Sequence, residues 1–120
     1  MIQCKRVYDN ADRDGSYRVL VDRLWPRGVK KETLHHDKWC KTLAPSTELR
    51  KAFHAEVIDF ATFSQHYREE LAAHKEEGLR LLHQAGTQKL TLLYASSNTR
   101  QNHALILADW LEKLAQRTEA

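Results

Sequence analysis

The densest chemistry in the chain is Asp22-Arg23-Leu24-Trp25-Pro26-Arg27-Gly28, where two guanidiniums and a carboxylate fall within a single short run. A guanidinium offers a planar fork of N–H donors that matches phosphate or carboxylate, so Arg23 and Arg27 are expected to hold an anion. Trp25 offers a ring for stacking, and Asp22 is a candidate proton carrier. A second cluster, Tyr94-Ala95-Ser96-Ser97-Asn98, sets small polar residues before a helix start, where unpaired N–H groups and the helix dipole attract negative charge. Ser96, Ser97, Asn98 and Asn102 are the expected anion contacts there, with His103 as a second proton carrier. Ser46, Arg50 and His54 stand four apart and share a helical face, so Arg50 would add positive charge and His54 could move a proton. Each cluster also has a structural alternative: Arg23 or Arg27 pairing with Asp22 or Asp37, and Asn98 or Ser46 serving only as a helix cap.

Metal chemistry has little support. His66, Glu70 and His74 align at helical spacing without forming HExxH, and His54-Ala55-Glu56 lacks the later PCxxC that would complete a deaminase zinc site. The chain has no GxGxxG, P-loop, GxSxG or CxxC motif, so no metal and no cofactor is expected.

The elements that must position these groups follow from local pattern. Residues 2–8 read as a first strand, and residues 9–16, rich in Asp, Asn, Gly and Ser, read as a turn. Residues 17–24 read as a second strand whose Val19-Leu20-Val21 run suits burial on both faces, stopped by Pro26 and Gly28. If that strand runs to Trp25, Arg23 shares a face with Val19, Val21 and Trp25, and Asp22 lies opposite with Leu20. Ser46 caps a short helix over residues 47–54, and Asp59 caps a longer one over residues 60–84, ended by Gly86. Residues 89–94 form a buried strand, and Asn98 with Gln101 opens a final helix reaching about residue 115.

Strands and helices interleave, so the expected fold is a single α/β domain over residues 1–120, with a small, mixed, mostly parallel sheet flanked by helices. The pairing direction of the first two strands is left open, because a loop of about eight residues is short for a parallel crossover. With 120 residues, 42% apolar and 29% charged, the chain has the composition of one ordinary globular domain. No apolar run reaches the roughly 18 residues of a membrane span, and no signal peptide is recognisable, so a cytoplasmic location is expected. Cys4 and Cys40 are accordingly expected as reduced thiols. The net charge is +3, and the basic excess lies in residues 1–51, with 12 Lys and Arg against 7 Asp and Glu.

Lys5-Arg6-Val7-Tyr8-Asp9, Asp14-Gly15, the DRLWPRG string, Ala44-Pro45-Ser46 with Leu49-Arg50, and Asn102-His103-Ala104 together closely resemble the YeaO-like branch of the domain of unknown function family number 488. The resemblance runs from about Cys4 to Leu114. It implies a small cytoplasmic protein with an α/β sheet and carries no settled activity. Many members have a lysine just after the last strand, where Ser97 stands nearby here.

The expected function is binding of a phosphorylated or nucleotide-like anionic ligand at the strand C-terminal ends, with enzymatic action on it left open. One alternative is a nucleic-acid-binding or regulatory protein using Arg18, Arg27, Lys30, Lys31, Lys38 and Lys41 of the basic half. Another is a non-catalytic oligomeric protein, such as a homodimer anchored by Trp39 and Trp110.

Overall fold

The structure, a computed structural model, describes residues 2–9 and 14–119. Their chain order is β1 (Ile2–Arg6), β2 (Tyr17–Leu20), β3 (Lys38–Trp39), α1 (Thr47–His54), α2 (Phe60–Ala72), α3 (Lys75–Ala85), β4 (Leu90–Tyr94) and α4 (His103–Glu119). The four strands form one sheet in the order β1-β4-β2-β3, and every pairing is parallel. The α/β expectation is borne out, and the sheet is more uniform than a mixed one.

The first two strands form neither a hairpin nor a neighbouring parallel pair. β4 lies between them, pairing Ile2 through Arg6 on one side and Tyr17 through Leu20 on the other. All five β4 residues are buried, which is why Leu90-Thr91-Leu92-Leu93-Tyr94 lacks polar alternation. The expected turn over residues 9–16 lies partly outside the described residues.

The two faces of the sheet are covered differently. Val19, Val21, Leu90, Leu92 and Tyr94 face a core completed by the helices, including Leu49, Phe63, Tyr67, Leu81 and Leu107. Leu20 and Leu93, on the opposite face by strand alternation, pack with Val7, Leu34, Trp25 and Trp39 from the loops and the edge strand. A row of polar groups continues along this second face: Gln3 Nε2 donates to Thr91 Oγ1 at 2.7 Å, and Thr91 Oγ1 donates to Ser16 Oγ at 2.8 Å.

Besides β1 ending at Arg6 rather than residue 8 and α4 reaching Glu119 rather than about residue 115, three boundaries differ from the sequence reading. β2 ends at Leu20, four residues short; Val21 N–H still donates to the Leu93 carbonyl at 3.0 Å, and residues 22–24 then turn away to form the wall of a cavity. The expected helix over residues 60–84 is two helices. Phe63, Tyr67 and Leu71 place the apolar stripe of α2, but the next positions in phase, His74 and Lys75, are polar and exposed. The chain breaks there, with His74 at φ −121°, and α3 restarts with Glu76 and Glu77 in its first turn, where the helix dipole favours acids. The last helix begins at His103, not near Asn98. Asn102 is its cap, accepting from Leu105 N–H at 3.1 Å, while Asn98 accepts from the N–H groups of Arg100 and Gln101 in its own turn.

Candidate functional site

A cavity of about 290 Å³ opens at the C-terminal ends of β2 and β4. Open α/β sheets place their sites at such strand ends, because loops from several crossovers meet there. Its polar lining is Asp22, Arg23, Arg50, His54, Ser96, Gln101, Asn102 and His103; Leu24, Pro45, Phe53, Phe63 and Ala95 supply the apolar walls.

Asp22 joins three segments. Its Oδ2 accepts the Ala95 N–H at 3.0 Å, tying the end of β2 to the end of β4, and its backbone carbonyl accepts the Trp39 indole N–H at 2.7 Å. His103 Nε2 lies 3.0 Å from the Val21 carbonyl and 3.1 Å from Asp22 Oδ1. Both oxygens only accept, so Nε2 carries the proton; the hydrogen bond goes to Val21, and Asp22 Oδ1 stays at ion-pair distance from the ring without a hydrogen bond.

Arg23 is fixed by the segment before α1. Its Nε donates to the Pro45 carbonyl at 2.9 Å and its Nη2 to the Ala44 carbonyl at 3.3 Å. That segment is held from beneath by the fully buried Tyr67, whose hydroxyl donates to the Leu43 carbonyl and whose ionisation burial pushes well above the ordinary phenol value. Ser46 caps α1 by accepting from Leu49 N–H, and its hydroxyl and N–H both donate to the Glu70 carboxylate on α2.

Arg50, one turn further along α1, is different from the other arginines near it. Its Nε is buried with no hydrogen-bond partner among the described residues. Arg6 donates to the Ser96 carbonyl, Arg18 to the His35 carbonyl and Arg23 to the residues 44–45 carbonyls. The fork of Arg50 is therefore not committed to the fold in the way theirs are.

The residues expected from sequence divide cleanly. Asp22, Arg23, Arg50, His54, Ser96, Asn102 and His103 line the cavity together, although they come from four separate segments. Trp25, Arg27, Ser97 and Asn98 do not line it. Trp25 sits in the cluster on the other face of the sheet, its ring centroid 5.3 Å from those of Trp39 and His36 and its N–H donating to the Val29 carbonyl at 2.6 Å. Once the strand stops at Leu20, alternation no longer carries Trp25 to the side of Arg23. Arg27 is exposed beside Gly28, whose φ of +78° turns the loop, and its carbonyl accepts the Tyr8 hydroxyl. Asn102 lines the cavity but is 2% exposed and spends its side chain on the α4 cap and the Asn98 carbonyl. Ser46 is absorbed by its cap and Glu70.

Phe53, Phe63 and Gln101 were not singled out by sequence. Phe53 and Phe63 follow the apolar stripes of their helices, and that pattern does not distinguish a core ring from a cavity wall. Their rings stack with centroids 4.6 Å apart and an interplanar angle of 24°. The thiols do not supply a nucleophile. Burial, helped by Glu112, pushes Cys4 up to about 11, and burial raises Cys40 as well; both are free. Among the described residues no group of His, Cys, Asp and Glu is arranged to hold a metal ion, and no helix is long and apolar enough to cross a membrane.

Comparison with known proteins agrees with the resemblance carried by the DRLWPRG and PSxxLR strings. The chain is 63% identical over 113 residues to the uncharacterized protein YeaO of Escherichia coli (strain K12), covering 94% of this chain and 98% of YeaO. It is 38% identical over 111 residues to the uncharacterized protein Rv3073c of Mycobacterium tuberculosis (strain H37Rv), covering 92% of each. No solved structure matches it. The family model described as the inactive DUF488-N3 subclade matches residues 1–120, and the chain belongs to that subclade as a YeaO-like member of the DUF488 family.

Proposed function

We propose that the protein binds a small phosphorylated or nucleotide-like anion in the cavity at the ends of β2 and β4, without catalysing its conversion. The observation that carries this reading is Arg50. A half-buried guanidinium whose Nε lacks an acceptor is costly in a free protein, and an anion drawn into the cavity beside it gives the fork a partner. Arg23 lines the same cavity and leaves Nη1 outside its two carbonyl bonds. The description of the subclade as inactive favours binding over turnover. His103 supports the same preference, since its Nε2 proton is directed at a backbone carbonyl rather than into the cavity. A cytoplasmic location, suited to two free thiols, belongs to this reading.

Nucleic-acid binding through the basic half has weaker support. The aromatic rings of that region are already engaged, with Lys41 Nζ 4.0 Å from the Trp39 ring centroid and Lys31 Nζ 5.8 Å from that of Trp25. The oligomer reading loses its anchors in a similar way, because Trp39 packs on Trp25 and Trp110 packs against Gly78 of the same chain.

The test is a thermal-shift titration with inorganic phosphate and adenosine monophosphate, alongside a labelled DNA duplex at several salt concentrations. A single-site ligand at 100 times its Kd stabilises by about 2.7 kcal/mol. Arg50→Met is expected to leave the free protein as stable or more so, and to abolish the shift. Absence of any shift with either anion, or a shift that survives Arg50→Met, overturns the proposal. Duplex binding with a log-log salt slope of about −5 would instead favour nucleic acid, from about 0.9 per phosphate neutralised.

A further inference from the structure

The cavity lining combines two kinds of group. Arg23 and Arg50 supply positive charge to the lining, while Phe53 and Phe63 supply aromatic rings. Three rings lead out of the core to the cavity: Tyr67 and Phe63 are 0% and 2% exposed with centroids 5.8 Å apart, and Phe53 stacks on Phe63 while remaining only half-buried. Phe53, whose ring also meets Phe60 at 5.8 Å and His54 at 6.2 Å, is the least buried of these three rings and lines the cavity, where one more planar ring would add to the cluster. Aromatic pairs prefer offset or tilted contacts with centroids about 4.5 to 7 Å apart, and a ligand ring beside Phe53 meets that preference. Leu24, apolar yet 62% exposed, stands at the same cavity and would be covered by such a ring. Gln101 adds a side-chain amide able to meet polar atoms on the edge of a heterocycle.

Resting on the anion-binding reading, we infer that the ligand is an aromatic phosphate ester, its ring against Phe53 and its phosphate at Arg23 and Arg50. A volume of about 290 Å³ stands at the lower end of small-molecule sites, roughly 300 to 1,000 Å³, so the ligand carries one ring system and one phosphate. This assigns the ring platform to Phe53 and not to Trp25, which is packed on the other face of the sheet.

The test compares methyl phosphate, cyclohexyl phosphate and phenyl phosphate by calorimetric titration of the unmodified protein, with inorganic phosphate as the reference and adenosine monophosphate as a heteroaromatic arm. Phenyl phosphate is expected to bind at least about tenfold more tightly than methyl phosphate, because ring burial and ring stacking both add to the phosphate contacts. Cyclohexyl phosphate, of similar bulk but not planar, is expected to be weaker than phenyl phosphate. Phe53→Leu keeps an apolar side chain in the fold and is expected to bring phenyl phosphate down to the cyclohexyl level, with methyl phosphate changed by no more than about twofold. A stronger response to adenosine monophosphate than to phenyl phosphate would place the ring in a nucleotide, and the reverse in a smaller aryl ester. Equal binding of methyl and phenyl phosphate overturns the aromatic inference and leaves anion binding standing. Equal binding of cyclohexyl and phenyl phosphate overturns it too, as does an unchanged preference in Phe53→Leu. If no phosphate compound binds, the anion reading falls and this inference falls with it.

Discussion

Asp22 and Arg23 are adjacent and oppositely charged, yet they bond in different directions: Asp22 Oδ2 takes the Ala95 N–H at 3.0 Å, and Arg23 Nε gives to the Pro45 carbonyl at 2.9 Å. The pair is two separate ties, one closing β2 onto β4 and one fastening the loop before α1. Arg23→Gln is expected to destabilise by about 1 to 2 kcal/mol through lost charge-assisted hydrogen bonds, and Asp22→Asn by a similar amount. Independent ties predict near-additivity in the double variant, within about 0.5 kcal/mol. Urea denaturation of the four proteins measures it, and coupling of several kcal/mol would show that the two residues act as one ion pair.

Gly78 sits inside α3, where helix propensity alone favours alanine by about 1 kcal/mol. A Cβ there would stand 2.6 Å from Trp110 Cζ3 and 2.9 Å from Leu114 Cδ2. Gly78→Ala is therefore expected to lower stability, by about 1 to 3 kcal/mol, since overpacking exceeds the propensity gain. Adding Trp110→Phe, which removes the outer edge of the indole, should recover part of the loss. A stabilised single variant would mean that α3 and α4 do not approach this closely.

Thiol chemistry should be slow in the folded state. With Cys4 at about 11, its thiolate fraction at pH 8 is about one in a thousand, and the raised Cys40 is buried in the main core. Iodoacetamide labelling read by mass spectrometry is expected to leave both unmodified at pH 8 over a time that fully labels the denatured chain. Rapid labelling of either thiol would contradict the packing of β1 against α4 or of Cys40 beneath the sheet.

Acid should remove one helix cap selectively. Hydrogen bonds from Thr62 hold Asp59 below its ordinary carboxylate value, so the folded state binds its proton less readily than the unfolded chain. That stabilisation is complete above the unfolded value, about 3.9, and is lost as the pH falls through the lower folded value. Asp59→Ala is expected to lower Tm at pH 7, with the gap from wild type narrowing below about pH 4. A gap that persists after full protonation would assign the effect to something other than the charged cap.

What the sequence made legible was local. Ser46 and Asp59 were readable as caps because a capping residue and its target lie three apart, and β4 was readable because a strand covered on both sides is mainly apolar, with Thr91 as its one polar residue. The strand order was not readable, because nothing near residues 2–20 shows that a segment from the last third separates β1 and β2. β3, with two residues, is too short to carry a period. Arg23, Arg50 and Ser96 were each visible by chemistry, but their meeting depends on the Arg23 bonds to residues 44–45 and on Ala95 binding Asp22. Trp25 was misplaced by one assumption, that its strand ran on past Leu20.

The position of β4 also fixes when the protein can fold. Gln3 meets Thr91 across 88 positions of chain, and among the described residues β1 has no sheet partner except β4. During synthesis from the N-terminus, β1 and β2 emerge long before the strand that joins them, and until then β2 has only the two-residue β3 beside it while β1 waits as an unpaired edge. Such non-local closure makes for slow folding and leaves the nascent chain exposed to wrong pairing. Most of the polypeptide must leave the ribosome before the sheet, and with it the floor between Asp22 and Ala95, can exist.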